Sequence, residues 1–160
     1  KTLNRPAHLA KDDSPGIAPV LHVLDQLPGY DYVVLLQPTS PLRTAQHIEG
    51  VLEFCVACKA PACVSICEAD PSPFSAFQLD DAHHLTRVIE REALQRRQEL
   101  PSTYVLNGAV YAASIPWLQE RQHFLDKETV GFLMPVDYSL DIDTERDLLF
   151  FEFLMVSRIN

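Results

Sequence analysis

The run Tyr32-Val33-Val34-Leu35-Leu36-Gln37-Pro38-Thr39-Ser40-Pro41-Leu42-Arg43-Thr44 sets the architecture. Its first five residues are aliphatic, aromatic and β-branched without a break, which is how a strand buried on both faces of a parallel sheet reads. Pro38 ends that strand. Thr44 can then cap the helix that the apolar periodicity predicts from Ala45 to Cys58. A second strand over Ala62 to Ile66 completes a β-α-β unit, so the expected class is α/β with a right-handed crossover.

Working outward, Asp12-Asp13-Ser14-Pro15-Gly16 is turn chemistry ahead of a helix from Ile17 to Leu27, which Pro28-Gly29 stops. Downstream, Phe74 to Leu79 and Leu85 to Val88 read as two short strands about a turn at Asp80 to His84. Tyr104 to Ala113 reads as a buried strand interrupted at Asn107-Gly108, and glycine inside a strand marks a close approach of backbone or ligand. A helix over Pro116 to Arg121, a strand near Phe132 to Met134 and a last helix from Glu145 to Val156 follow. That helix is amphipathic through Leu148, Leu149, Phe151, Phe153 and Leu154.

The 160 residues fit one domain, and 47% hydrophobic with 22% charged residues is the composition of a folded core. With 22 acids against 13 bases the formal charge is −9, which opposes nucleic-acid or anionic-membrane binding because both need a positive field. No apolar run approaches the roughly 20 residues of a membrane span, and the first residues lack a signal-like stretch, so the expectation is a soluble, cytoplasmic protein. Arg87, Arg91, Arg96 and Arg97 form the basic patch, either a solvated helix face or a working surface. His83-His84 reads as a solvent-exposed turn.

Cys55, Cys58, Cys63 and Cys67 have a spacing that invites a zinc or iron–sulfur reading. Their context opposes it. The first two fall on a helix face with Ile48, Val51 and Leu52, and the last two alternate along a strand, so all four are expected to be buried as small apolar residues.

Three polar features sit where an open α/β sheet places its ligands, at the ends of strands. In Gln37 to Arg43 two prolines stiffen a loop that carries an amide and a guanidinium, either as a preorganised site or as a plain helix approach. Asp141-Ile142-Asp143 places two carboxylates on one side of an extended segment, a pair of hard oxygens suited to Mg²⁺. Helix capping, with Thr144 and Asp147 forming a capping box, explains one of these acids but not two. On a regular strand Asn107, Ala109 and Tyr111 share a face, an amide and a phenol about a small residue; an Asn satisfied by backbone is the other reading.

Taken in order, Arg5-Pro6-Ala7-His8-Leu9-Ala10, Leu35 to Thr44, Asn107-Gly108-Ala109-Val110-Tyr111 and Ser139-Leu140-Asp141-Ile142-Asp143-Thr144 resemble the acylneuraminate cytidylyltransferases, or CMP-sialic acid synthetases. The resemblance runs from Arg5 to the last helix. It implies a three-layer, Rossmann-like nucleotide-diphospho-sugar transferase fold with a mostly parallel sheet and a small β extension. It also implies transfer of CMP from CTP to a nonulosonic, sialic-type acid with release of pyrophosphate. Arg5 would then lie at the nucleotide. Gln37, Asn107 and Tyr111 would line the sugar-acid pocket beside Arg43, with Phe124 on its apolar wall. Asp141 and Asp143 would be the catalytic, Mg²⁺-holding pair. Residues 1–160 would form a single cytidylyltransferase domain in which about 70–103 is a dimerisation extension, and Arg97 would serve the partner's site in a homodimer or larger oligomer.

The sequence departs from the family's pattern at Gly16, Ser75 and Val105, where relatives carry Ser, Lys and Arg. The family also starts with a strand and a Gly- and Lys-rich loop that wraps the triphosphate, and only Lys1 to Asn4 precede the Arg5 motif here. The expectations are an incomplete domain, unpaired strand edges that favour oligomerisation, and no CTP turnover by this chain alone. Two alternatives stand beside the enzyme: a non-catalytic remnant acting as an oligomerisation or sugar-binding module, and a metal-cluster protein built on the four cysteines.

Overall fold

A computed structural model of the chain describes residues 2–11, 14–90 and 100–159. Asp12, Asp13, Arg91, Arg96 and Arg97 lie outside the described residues.

The decisive run forms β1 (Tyr32–Leu35), followed by α2 (Ala45–Ala57) and β2 (Ala62–Glu68), with α1 (Ala18–Gln26) ahead of them. Thr44 caps α2 as expected: its side chain accepts from the backbone of His47 while the His47 ring returns a bond to the Thr44 backbone, so two otherwise unpaired amides of the first turn are satisfied. β5 (Tyr104–Ser114) and α3 (Ile115–Arg121) follow a short ribbon of β3 (Phe77–Leu79) and β4 (Leu85–Arg87). β6 (Thr129–Leu133) and α4 (Glu145–Ile159) close the chain.

The sheet order is β1-β5-β2-β6. β2 and β6 pair in parallel, and β5 runs antiparallel to both β1 and β2. The α/β class holds, and the sheet is mixed because one long strand inserts against the direction of the other three. Val51 and Cys55 of α2 pack on one face with Cys63, Val110 and Met134. Val20 and Leu24 of α1, Leu118 of α3 and Phe124 pack on the other with Ala62, Val64 and Ala113, so helices cover both faces. Gly50 lets α2 sit close, since a Cβ there would come 2.7 Å from the Phe132 ring.

Several expectations change. β1 touches both cores, through Val34 on one face and Val33 and Leu35 on the other, but it is an edge strand whose residues are half-buried at best. β5 is exposed over Tyr104 to Leu106, because β1 reaches only Tyr111 to Ser114 of it and leaves its first part uncovered. The strand expected from Phe74 is shortened to β3, preceded by a 3-10 turn at Pro73–Ser75 where proline fixes the backbone. α4 starts at Glu145 as expected and continues past Val156 to Ile159, yet Leu148, Leu149 and Phe153 are exposed.

Cys55, Cys63 and Cys67 are buried, whereas Cys58 at the end of α2 is exposed. No group of three or more metal-ligating side chains occurs among the described residues. Burial, reinforced by Cys55 and Cys58, pushes the Cys63 thiol up to about 12. Because its proton is held more tightly in the native state, native stability is expected to be full below pH 9 and to fall as pH rises from there towards 12. Iodoacetamide should accordingly modify Cys58 alone in the native chain and all four cysteines after unfolding, read by mass spectrometry.

Candidate functional site

The Asn107-Gly108 step is where the sheet builds its site. Val64 pairs with Tyr111 and Ile66 with Leu106, so residues 107–110 of β5 stand opposite the single residue Ser65 of β2. This is an enlarged bulge, and bulges re-aim side chains near functional sites. Ser65 pegs it: its hydroxyl meets Asn107 Oδ1 at 2.6 Å and the Val110 carbonyl at 3.1 Å, and accepts from the Val110 amide at 2.8 Å. Gly108 takes φ +70° at its crest, a conformation that L side chains avoid.

Asn107 is buried, and its amide is committed to protein. Oδ1 also accepts from the Ala109 amide at 3.2 Å, and Nδ2 donates to Ser139 Oγ at 2.9 Å and to Met134 Sδ at 3.5 Å. The bulge also separates two residues expected on one face. Asn107 turns to the Met134 side of the sheet, while Tyr111 lies on the opposite side against Phe124, ring centroids 5.7 Å apart. The extra residues changed the alternation that a regular strand would have kept.

Around Gly108 the loop after β1 meets the segment before α4. A Cβ on Gly108 would lie 2.7 Å from Gln37 Oε1, 2.9 Å from Asp141 Oδ2 and 3.0 Å from Ser40 Oγ, so these three side chains converge on one point. Ser40 is fully buried, and its hydroxyl lies between the Asn107 carbonyl at 3.2 Å and Asp141 Oδ1 at 3.4 Å. The Ile142 amide donates to the Thr39 carbonyl at 2.8 Å, tying the two segments together. Arg43 is half-buried; Nη1 donates to the carbonyls of Gln37, Ser40 and Ala109 at 2.6, 2.9 and 3.3 Å.

On the Tyr111 side opens a cavity of about 500 Å³, lined mostly by apolar groups including Ile17, Leu35 and Leu106, with Gln37, Tyr111 and Phe124 among its walls. Burial, and then the Asp141 carboxylate, raise the Tyr111 phenol, so it stays a hydrogen-bond donor. An apolar cavity with a few converging polar groups is the usual form of a small-molecule site.

The structure thus brings Gln37, Tyr111, Phe124 and Asp141 to one place. Asp143 lies exposed where the chain turns into α4, its amide donating to Asp147 Oδ2 at 3.2 Å. Asp147 completes the capping box with Thr144, whose hydroxyl and amide donate to it at 2.7 and 2.8 Å, so capping uses Asp147 and leaves Asp141 for the cluster. Asp141 and Asp143 belong to no group of three or more metal-ligating side chains among the described residues, so a cation held there would take most of its ligands from water and substrate oxygens rather than from a closed protein cage. Arg5 is exposed ahead of the 3-10 turn at Ala7–Leu9. The sequence reading passed over Ser40 and Ser65. Only the match of Ser65 to the Asn-Gly interruption across the sheet could have signalled the second, and register is not written in one strand.

No family model matches the chain. It is homologous to curated proteins named N-acylneuraminate cytidylyltransferase. That of Streptococcus agalactiae serotype V is 29% identical over 133 residues, covering 79% of this chain and 32% of the relative. That of Escherichia coli O18:K1:H7 is 26% identical over 145 residues, 91% of this chain and 35% of the relative. The CMP-N,N'-diacetyllegionaminic acid synthase of Legionella pneumophila is 29% identical over 156 residues, 94% of this chain and 67% of the relative. The chain spans about a third of the length of the first two.

Proposed function

We propose that this chain is the sugar-acid-binding part of a cytidylyltransferase that joins CMP from CTP to a nonulosonic acid of the sialic class. The observation that carries the reading is the convergence of Gln37, Tyr111 and Phe124 on one mostly apolar cavity, with Asp141 meeting Gln37 around Gly108. In this reading the Gln37 amide and the Tyr111 hydroxyl bind the polar substituents of the sugar acid, and Phe124 packs its acyl group. Mg²⁺ bound at Asp141 and Asp143 would screen the phosphates and lower the pKa of the attacking hydroxyl. Asp141 sets where that charge sits through its contact with Ser40. Arg5 contacts the nucleotide.

Calorimetric titration with N-acetylneuraminate tests this proposal. Saturable binding is expected, weakened at least tenfold by Gln37→Ala, and a wild-type chain that binds no sugar acid would overturn it. CTP turnover is a separate matter: Arg43 at the cluster already directs Nη1 to three carbonyls and the formal charge is −9, so weak nucleotide binding by this chain is the expected result. That favours a second reading, in which this chain binds sugar acid without catalysing transfer.

We further infer a homodimer through the β3–β4 ribbon. Phe77, Leu79 and Leu85 are exposed on a two-stranded unit, and such a ribbon is marginal alone in water. Arg87 lies over the Phe77 ring at 4.9 Å, an additional support for the same strands. Leu79→Glu with Leu85→Glu should convert a dimer to monomers in analytical ultracentrifugation; an unchanged sedimentation coefficient would place the interface elsewhere.

A further inference from the structure

We infer that Arg43 is a positioning residue for Gln37, an internal fastener between the Pro-rich loop and the β5 bulge rather than a ligand for substrate anions. The inference rests on the proposed function only for what the positioned amide binds. The two prolines stiffen the loop but have no N–H to tie it to the sheet. The loop's backbone contacts are few among the described residues: the Ser40 amide donates to the Gln37 carbonyl at 3.4 Å, and the Thr39 carbonyl accepts from the Ile142 amide at 2.8 Å. The carbonyls of Gln37 and Ser40, at the two ends of the tight turn, and that of Ala109, on the far side of the bulge, converge on the single nitrogen Nη1 of Arg43. Half-buried carbonyls need donors, and one cationic nitrogen meets three of them. The geometry sets where the Gln37 backbone lies, and with it the direction of the amide.

A guanidinium suits this task because its donors lie in a rigid plane on a long stem, whereas the lysine ammonium sits one bond nearer the backbone as a rotating point charge. The alternative, in which Arg43 meets the substrate carboxylate, requires only charge and would tolerate lysine. The two readings therefore separate by experiment.

Amide hydrogen exchange of Arg43→Ala in the 160-residue chain is the primary test. Exchange at the Ile142 amide should rise at least tenfold while amides of α2 stay unchanged. Methylguanidinium added to the variant should restore protection and, in parallel, a tenfold or greater loss of N-acetylneuraminate affinity; ammonium should restore neither. Unchanged exchange at Ile142 would overturn the inference, as would a uniform rise across the chain. Arg43→Lys binding the sugar acid as tightly as wild type, with Ile142 deprotected, would overturn it in favour of direct charge recognition. If the exchange and rescue pattern holds but the wild-type chain binds no sugar acid, the fastener stands and the proposed function fails.

Discussion

Replacing Gly108 with valine is expected to abolish sugar-acid binding and to destabilise the fold by at least about 2 kcal/mol. Two costs act together. The backbone at φ +70° places any β-branched residue in the left-handed region, and the new Cβ would lie inside contact distance of Gln37, Asp141 and Ser40. Those three cannot all yield, since Ser40 is fully buried and anchored to Asn107, and Asp141 is held next to the tie between Ile142 and Thr39. Urea denaturation read by circular dichroism gives the stability loss. A valine variant with wild-type stability would show that the bulge has room the structure does not show.

Asn107→Ala should destabilise by about 3 kcal/mol, because truncation leaves several buried partners short of bonds at once. The amide of Ala109 would lose its acceptor, Ser139 Oγ would lose a donor, and the Ser65 hydroxyl would keep only its bonds to Val110. For a domain whose total stability is about 5–15 kcal/mol this is a large share. Ser65→Ala should cost less, and the double variant should cost less than the two singles together, since both remove the same bond. Strict additivity in urea midpoints would contradict the peg-and-bulge description.

These two residues also show what one sequence can and cannot reveal. The helices α1, α2 and α3 and the strands β1, β2 and β5 were legible to within a few residues, because apolar period and capping chemistry are local. Thr44 and Pro28-Gly29 announced their boundaries. The interruption of β5 at Asn107-Gly108 was legible too, but its consequence was not: a regular strand would put Asn107 and Tyr111 on one face, and residues 107–110 facing only Ser65 put them on two. Such a mismatch depends on the partner strand. α4 gives the opposite lesson, since an apolar period identifies a face but not whether another element covers it; Phe150 and Leu154 share a cavity with Val136 and Leu140, while Leu148, Leu149 and Phe153 are exposed.

At the site, the motif residues Gln37, Tyr111 and Asp141 are brought together as their positions in the chain suggested, although 74 residues separate the first two. The division between residues facing the cavity and residues holding it was hidden. Asn107 and Arg43 look like binding groups in sequence because both are strong hydrogen-bonding side chains in a loop or at a strand break. Their partners are Ser65, Ser139 and main-chain carbonyls, and only coordinates place those partners.

The central claim, that the cavity beside Gly108 takes a sialic-type acid, is tested most directly by titrating the isotope-labelled chain with N-acetylneuraminate and following amide shifts. The account predicts saturable shifts clustered at Gln37, Gly108, Tyr111 and Phe124, with β3 and β4 unmoved. Absence of shifts, or shifts centred away from that cavity, would contradict it.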